Sequence, residues 1–254
     1  MTATADTLST AARTTPLEPV ALPDEVIASL PPTNHASLPP LADHWQRLDL
    51  REILSRPAAF ISIGQSNSVY RPGGVQYSEG HAFRGNLEAT VKSATAARAA
   101  GNFDFTWVGY SLFRSQYPQT DFDRVQYSSW TDEIGATQEQ IDWDNTLVEE
   151  LQAIRQPQDK ELFETALQSW FVGTDLPGTL ARKKIEVLVF AGVHVDWCIE
   201  GNVRAARDNG LLPIVIGDAC GAQRPEQEAA TFDRINRFFA PVITADEFID
   251  LVRR

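Results

Sequence analysis

Residues 186–220, EVLVFAGVHVDWCIEGNVRAARDNGLLPIVIGDAC, decide the fold. Glu186 to Val193 is an almost unbroken apolar run, as a strand buried on both faces requires. A helix is expected to begin close to Cys198, with Ile199, Val203 and Ala206 on its inner face, and Leu212 to Ile216 then repeats the strand pattern. Strand, helix and strand in so short a stretch make one unit of a parallel sheet, and Cys198 falls where the strand passes into the helix.

The same alternation extends in both directions. Ala58 to Ile63 reads as a first buried strand, and residues 86–100 place Leu87, Val91, Ala94 and Ala97 on one helical face with Gly101 as the stop. Phe103 to Val108 reads as the second strand. After an irregular insertion from Ser111 to Asp142, a helix is expected over Asp142 to Ile154, a short strand over Leu162 to Thr165 and a helix over Leu176 to Lys183. Residues 226–238 carry a helical pattern, Pro241 to Ile243 reads as a last strand, and Thr244 with Glu247 forms a capping box for a helix through Val252. The segment Gly217-Asp218-Ala219-Cys220 reads as a turn, with Cys220 packed in the core. The whole pattern predicts an α/β three-layer sandwich, a central mainly parallel sheet flanked by helices, over residues 57–254. Residues 1–56 hold Pro16, Pro19, Pro23, Pro31, Pro32, Pro39 and Pro40 without sustained periodicity, which reads as an extended, partly disordered arm. Its later half carries Leu38, Leu41, Trp45 and Leu48 to bury, against its own domain or a neighbouring subunit.

Composition bounds the function. The chain of 254 residues is 43% hydrophobic and 22% charged, enough for a sizeable core without staples. A formal net charge of -12 lacks the clustered cations that nucleic acid requires, so no nucleic-acid partner is expected. No stretch is long and apolar enough to span a membrane, the first residues lack a basic-then-apolar leader, and two cysteines make no disulfide framework; a cytoplasmic setting is expected.

In an open α/β sheet, ligands bind beyond the carboxyl ends of the strands, where the loop from Val193 to Trp197 would lie. A cysteine at a helix start meets unpaired N–H groups and the positive end of the helix dipole, which favour thiolate and can hold an oxyanion. A buried, inert thiol is the alternative that position alone leaves open.

Three ordered segments resemble the isochorismatase-like cysteine hydrolases, a superfamily that includes nicotinamidases, N-carbamoylsarcosine amidohydrolases and ureidoacrylate amidohydrolases. They are Ala191 to Cys220 (AGVHVDWCIEGNVRAARDNGLLPIVIGDAC), Ser169 to Leu176 (SWFVGTDL), and Gln65 to Gly74 (QSNSVYRPGG) after the first strand. The resemblance implies Cys198 as nucleophile, backbone amides near His194 and Cys198 as oxyanion hole, a cis Val193–His194 bond, and a homodimer or homotetramer. It also implies a small-molecule substrate, with Gly64, Tyr110, Thr165, Phe171 and Trp197 at substrate-binding positions.

Two positions depart from the family pattern. Gly64 stands where an Asp serves as general base, and Thr165 stands where a Lys completes the triad; Lys160 lies five residues too early. Glu164, beside the lysine position, and His194, beside the nucleophile, are the candidate catalytic replacements, with Tyr110 and Asp196 behind them. The metal-binding Asp-x-His of nicotinamidases is replaced by Val108-Gly109-Tyr110-Ser111, so neither metal nor cofactor is expected. Trp107, Tyr110, Trp170, Phe171 and Trp197 either line a pocket for an apolar substrate or belong to the core. Two functions follow: hydrolysis of a C–N bond in a small amide, imide or ureido compound through a thioester, or a catalytically impaired fold kept for binding or assembly. Vinyl-ether cleavage is disfavoured by the missing acid at Gly64.

Overall fold

Six parallel strands run in the order β3-β2-β1-β4-β5-β6: β1 (Ala58–Ile63), β2 (Phe103–Val108), β3 (Lys160–Leu162), β4 (Val187–Val193), β5 (Leu212–Gly221) and β6 (Val242–Ile243). The computed structural model describes residues 38–74, 76, 77, 86–109, 121, 137–162, 168–222 and 224–253. The chain starts at the centre with β1, builds outward through β2 to β3, then returns to lay β4 on the other side of β1 and continues through β5 to β6. That reversal opens a crevice at the carboxyl ends of β1 and β4, the place where open α/β sheets take their ligands.

Every residue of β1 and β4 is buried, which explains their continuous apolar runs. Helices cover both faces. On one lie α1 (Leu50–Leu54), α3 (Asn86–Ala100) and α9 (Ala245–Val252), packed with Phe60, Trp107 and Val189. On the other lie α6 (Leu176–Arg182), α7 (Glu200–Asp208) and α8 (Pro225–Phe238), packed with Ile61, Leu188 and Phe190. The short α2 (Asn67–Tyr70), α4 (Gln138–Asp144) and α5 (Glu149–Gln152) stand at the carboxyl edge. Thr244 and Glu247 cap α9 reciprocally, as their spacing predicts. Gly101 ends α3 with a φ of 80°, a conformation glycine adopts without strain.

Two expectations are corrected. The single helix expected over Asp142 to Ile154 is two helices, because the residues between them bond to the loop after β1: the Asn67 amide donates to Thr146 O at 2.9 Å and the Val148 amide to Gln65 O at 3.1 Å. The expected turn at Gly217 to Cys220 is strand: β5 runs on to Gly221 and, after a register shift opposite Phe190 and Gly192, pairs Cys220 with Gly192. Cys220 is buried there, and its packing holds. The strand expected over Leu162 to Thr165 appears as Lys160–Leu162, its later residues lying outside the described ones.

Residues 38–56 lie against the sheet domain. Ile53 and Leu54 join the core, Leu38 covers Gly217, and the Asn236 side chain donates to Pro40 O at 2.8 Å. The Trp45 indole donates to Asn236 O, and Arg51 donates to the carbonyls of Leu251 (3.0 Å) and Arg253 (2.9 Å).

Candidate active site

The crevice between β1 and β4 is closed from below by backbone meeting backbone. Gly192, with a φ of 116°, has Ile63 O only 2.0 Å from where a Cβ would stand, and Gly64, with a φ of 69°, has Val193 O at 2.5 Å. Only glycine fits either position. The Gly64 amide donates to Val108 O at 2.8 Å, which fixes the exit of β1. The loop that follows hangs on a buried polar network: Ser62 Oγ donates to Gln65 Oε1 (2.6 Å), Gln65 Nε2 to Thr90 Oγ1 (3.0 Å) and Tyr70 OH to Asn86 Oδ1 (2.8 Å). Burial is the main reason the Tyr70 phenol is pushed well above its ordinary range, so it acts as a neutral donor.

Beyond β4 the Val193–His194 peptide is cis, and the chain makes one π-helical turn, Val195–Ile199, before α7 begins. Such wide turns recur at functional sites because they re-aim one side chain. Cys198 sits inside this turn, its side chain part of the apolar cluster, with the residue only 4% exposed. Beside it is a cavity of about 10 Å³, room for the centre of one water, lined by Gly64, Ser66, Val69, Gln76, Val193, His194, Trp197 and Cys198.

The thiol is neutral at rest. Burial pushes its pKa up to about 12; the backbone amides of His194 and Cys198 act in the opposite direction, and Asp196 adds to the rise. The two amides are those the resemblance assigns to the oxyanion hole, but burial outweighs the thiolate-favouring helix start expected from sequence. Asp196 is itself held above the usual carboxylate range, chiefly by burial.

One contact to the sulfur escaped the sequence reading. Cys198 Sγ donates to Gln168 Oε1 at 3.5 Å. Asn202, 1% exposed, holds both segments: its Nδ2 donates to Cys198 O (2.7 Å) and to Gln168 O (3.0 Å), while its Oδ1 accepts from the Trp170 amide (3.0 Å). The available signals were modest: Asn202 lies one helical turn after the cysteine, and Gln168 immediately precedes the SWFVGTDL segment.

The other expected site residues separate into three groups. His194, Gly64 and Trp197 line the cavity with Cys198, the His194 and Trp197 rings being 6.1 Å apart. Phe171 is half-buried against the same apolar cluster and is not among the cavity's lining residues. Glu164, Thr165 and Tyr110 lie outside the described residues. Lys160 pairs with Asp175 and lines a separate hollow of about 750 Å³ whose lining does not include Cys198. Among the described residues no three His, Cys, Asp or Glu side chains gather as metal ligands, and no helix is long and apolar enough to cross a membrane.

A doubly wound parallel sheet with a cysteine at its switch point defines a class of α/β proteins with a strand-end site. Within that class the assignment is specific: the sequence model of the Isochorismatase domain matches residues 58–247, and the chain belongs to the isochorismatase family. Curated relatives include the ureidoacrylate amidohydrolases RutB of Agrobacterium fabrum (29% identical over 111 residues, 43% of this chain and 47% of that protein) and Caulobacter segnis (34% over 108 residues, 42% and 44%). The matched stretches thus span less than half the length of either relative. Among solved structures, a cysteine hydrolase from Pseudomonas syringae pv. phaseolicola aligns with a TM-score of 0.65 at 22% identity, covering 84% of this chain and 97% of that one. N-carbamoylsarcosine amidase from Thermoplasma acidophilum aligns at 0.58 and 22%, covering 74% and 96%. These structural likenesses establish the shared fold.

Proposed function

We propose that this chain is a hydrolase that cleaves the C–N bond of a small amide, imide or ureido compound, with Cys198 as its nucleophile. The observation that carries the reading is the placement of the Cys198 sulfur beside the strand-end cavity with the His194 and Cys198 amides bearing on it. In the reaction, the sulfur bonds to the substrate carbonyl carbon while its proton passes to a base, and the two amides steady the oxyanion. The C–N bond then breaks, the nitrogen leaves with a proton as ammonia or amine, and a thioester remains. Water hydrolyses the thioester to a carboxylic acid and restores the thiol. His194, which lines the same cavity, is the described side chain suited to the base; Glu164 is the alternative. The names of the curated relatives support a ureido or amide substrate.

A second reading rests on a specific observation. Gly64 supplies no carboxylate, its backbone admits no side chain, and the resting thiol is neutral, as in a member kept for binding or assembly. Ammonia release from a panel of small amides and ureido acids, measured for the protein and for Cys198→Ala, decides between the two. Turnover that disappears in the variant, with a thioester adduct seen by mass spectrometry, supports the hydrolase. Equal background from both proteins across the panel leaves the binding reading.

A further inference from the structure

We propose that Gln168 is a catalytic residue of this site: its side-chain amide accepts from the Cys198 thiol at rest and turns to donate to the sulfur once it is ionised. The proposal rests on Cys198 being the nucleophile.

The geometry has two parts. The first is the contact itself, Sγ to Oε1 at 3.5 Å, within hydrogen-bonding range for sulfur. The second is the means of holding it. Asn202 binds the carbonyls of Gln168 and Cys198 with one NH₂ group and the Trp170 amide with its oxygen. The stretch carrying Gln168 and the turn carrying the sulfur are therefore fixed to one buried side chain, and Gln168 cannot drift away without breaking that clasp.

The chemistry explains why an amide suits the position. A thiol needs an acceptor and a thiolate needs a donor. An ionised carboxylate can only accept and an ammonium can only donate, whereas a glutamine offers an oxygen and an NH₂ on one planar group. A half-turn about its soft terminal torsion exchanges them without moving the backbone. Such a group serves both protonation states of a sulfur that receives no carboxylate from position 64. Among the described residues, the carboxylates around the sulfur do not duplicate it. Asp196, on the same turn, opposes the thiolate, and it in turn feels the Glu200–Arg234 pair between α7 and α8. His194 lines the cavity, while Gly64, Ser66, Val69 and Gln76 bring no ionisable side chain from the β1 side. A hydrogen bond to an ionised partner changes the thiolate population by about ten- to a hundredfold.

The test uses the full chain in a Cys220→Ala background, which leaves one thiol, and compares Gln168 with Gln168→Met, of similar length but without a donor. Two readouts are taken: the infrared S–H stretching band, identified by its loss in Cys198→Ala, and the rate of iodoacetamide alkylation across the neutral to alkaline range. Gln168→Met should move the S–H band to the frequency of a free thiol and slow alkylation by about ten- to a hundredfold. Gln168→His, which again offers a donor and an acceptor, should recover most of the rate. An unmoved S–H band, alkylation as fast as in the parent, or no recovery by histidine each overturns the proposal, the last because loss of packing alone would then explain the slowing. Should Gln168→Met not fold, Gln168→Ala is read the same way. Failure of the hydrolase reading is separate: it appears as absence of Cys198-dependent turnover, whatever Gln168 does to the thiol. Turnover that persists with an unchanged kcat in Gln168→Met sinks this proposal and leaves the hydrolase standing.

Discussion

Replacing Gly64 by alanine or aspartate tests whether the backbone itself forbids the acid that the family pattern places there. An alanine Cβ would stand 2.5 Å from Val193 O and 3.3 Å from Val193 Cγ2, the first contact being with backbone that no side-chain rotation relieves. The φ of 69° adds the left-handed penalty of about 1–2 kcal/mol for a residue with a Cβ. Forcing one extra carbon into packed surroundings costs about 1–3 kcal/mol more. Together these give roughly 2–5 kcal/mol, a large share of the ~5–15 kcal/mol by which domains are ordinarily stable. At about 2–4 °C per kcal/mol for a domain of this size, Gly64→Ala should melt roughly 10 °C lower, measured by circular dichroism or calorimetry. Gly64→Asp should lose at least as much, because its Cβ meets the same Val193 oxygen. A Gly64→Ala protein melting within about 2 °C of the parent would refute the steric argument. So would a Gly64→Asp protein that keeps its stability.

Other predictions concern buried charge. Asp159, its side chain 2% exposed, pairs with Arg98 and accepts from Trp107 Nε1 (2.8 Å) and the Gln156 amide (3.0 Å). Asp159→Ala strands the Arg98 charge and should cost about 3–5 kcal/mol in urea unfolding, whereas a loss below about 1 kcal/mol would contradict that reading. Glu200 loses from burial but gains more from hydrogen bonds to Arg234 and Arg204, so its pKa lies below the ordinary carboxylate value. A depressed folded value contributes stability above the unfolded value of about 4.5 and loses it as pH falls through the folded one. Glu200→Gln should accordingly flatten the acid limb of the stability profile, and an unchanged limb would count against the clamp. Asp196 carries the opposite sign: burial raises its value, so its contribution is complete below the unfolded value and is lost as pH rises through the folded one. Asp196→Asn should therefore raise the melting temperature at neutral pH relative to mildly acidic pH, and the reverse ordering would refute it.

The central sheet was legible because β1 and β4 are buried on both faces and so carry runs with few competing readings. The α9 start was legible because its cap is written locally in Thr244 and Glu247. What failed to read were features made by partners distant in sequence. Residues 146–148 look helical until their backbone groups meet Gln65 and Asn67, and Gly217 to Cys220 look like a turn until Gly192 offers a strand to pair with. At the site, Cys198, His194, Gly64 and Trp197 announced themselves by motif and meet around one cavity. The neutral state of the thiol did not, because burial is a property of the assembled core and not of a helix start. Gln168 was missed for a related reason: its place against the sulfur is set by Asn202, far along the chain.

The bonds from Arg51 to the carbonyls of Leu251 and Arg253 join positions 200 and 202 residues apart. A loop of that size costs little more entropy than a loop half as long, since the penalty grows only with the logarithm of length. Timing is where the length tells. On a ribosome α1 can meet Asn102, whose side chain donates to the Leu54 and Arg56 carbonyls, long before α9 exists, whereas the Arg51 bonds wait until α9 has emerged; until then α1 and α3 cover that face of the sheet without it.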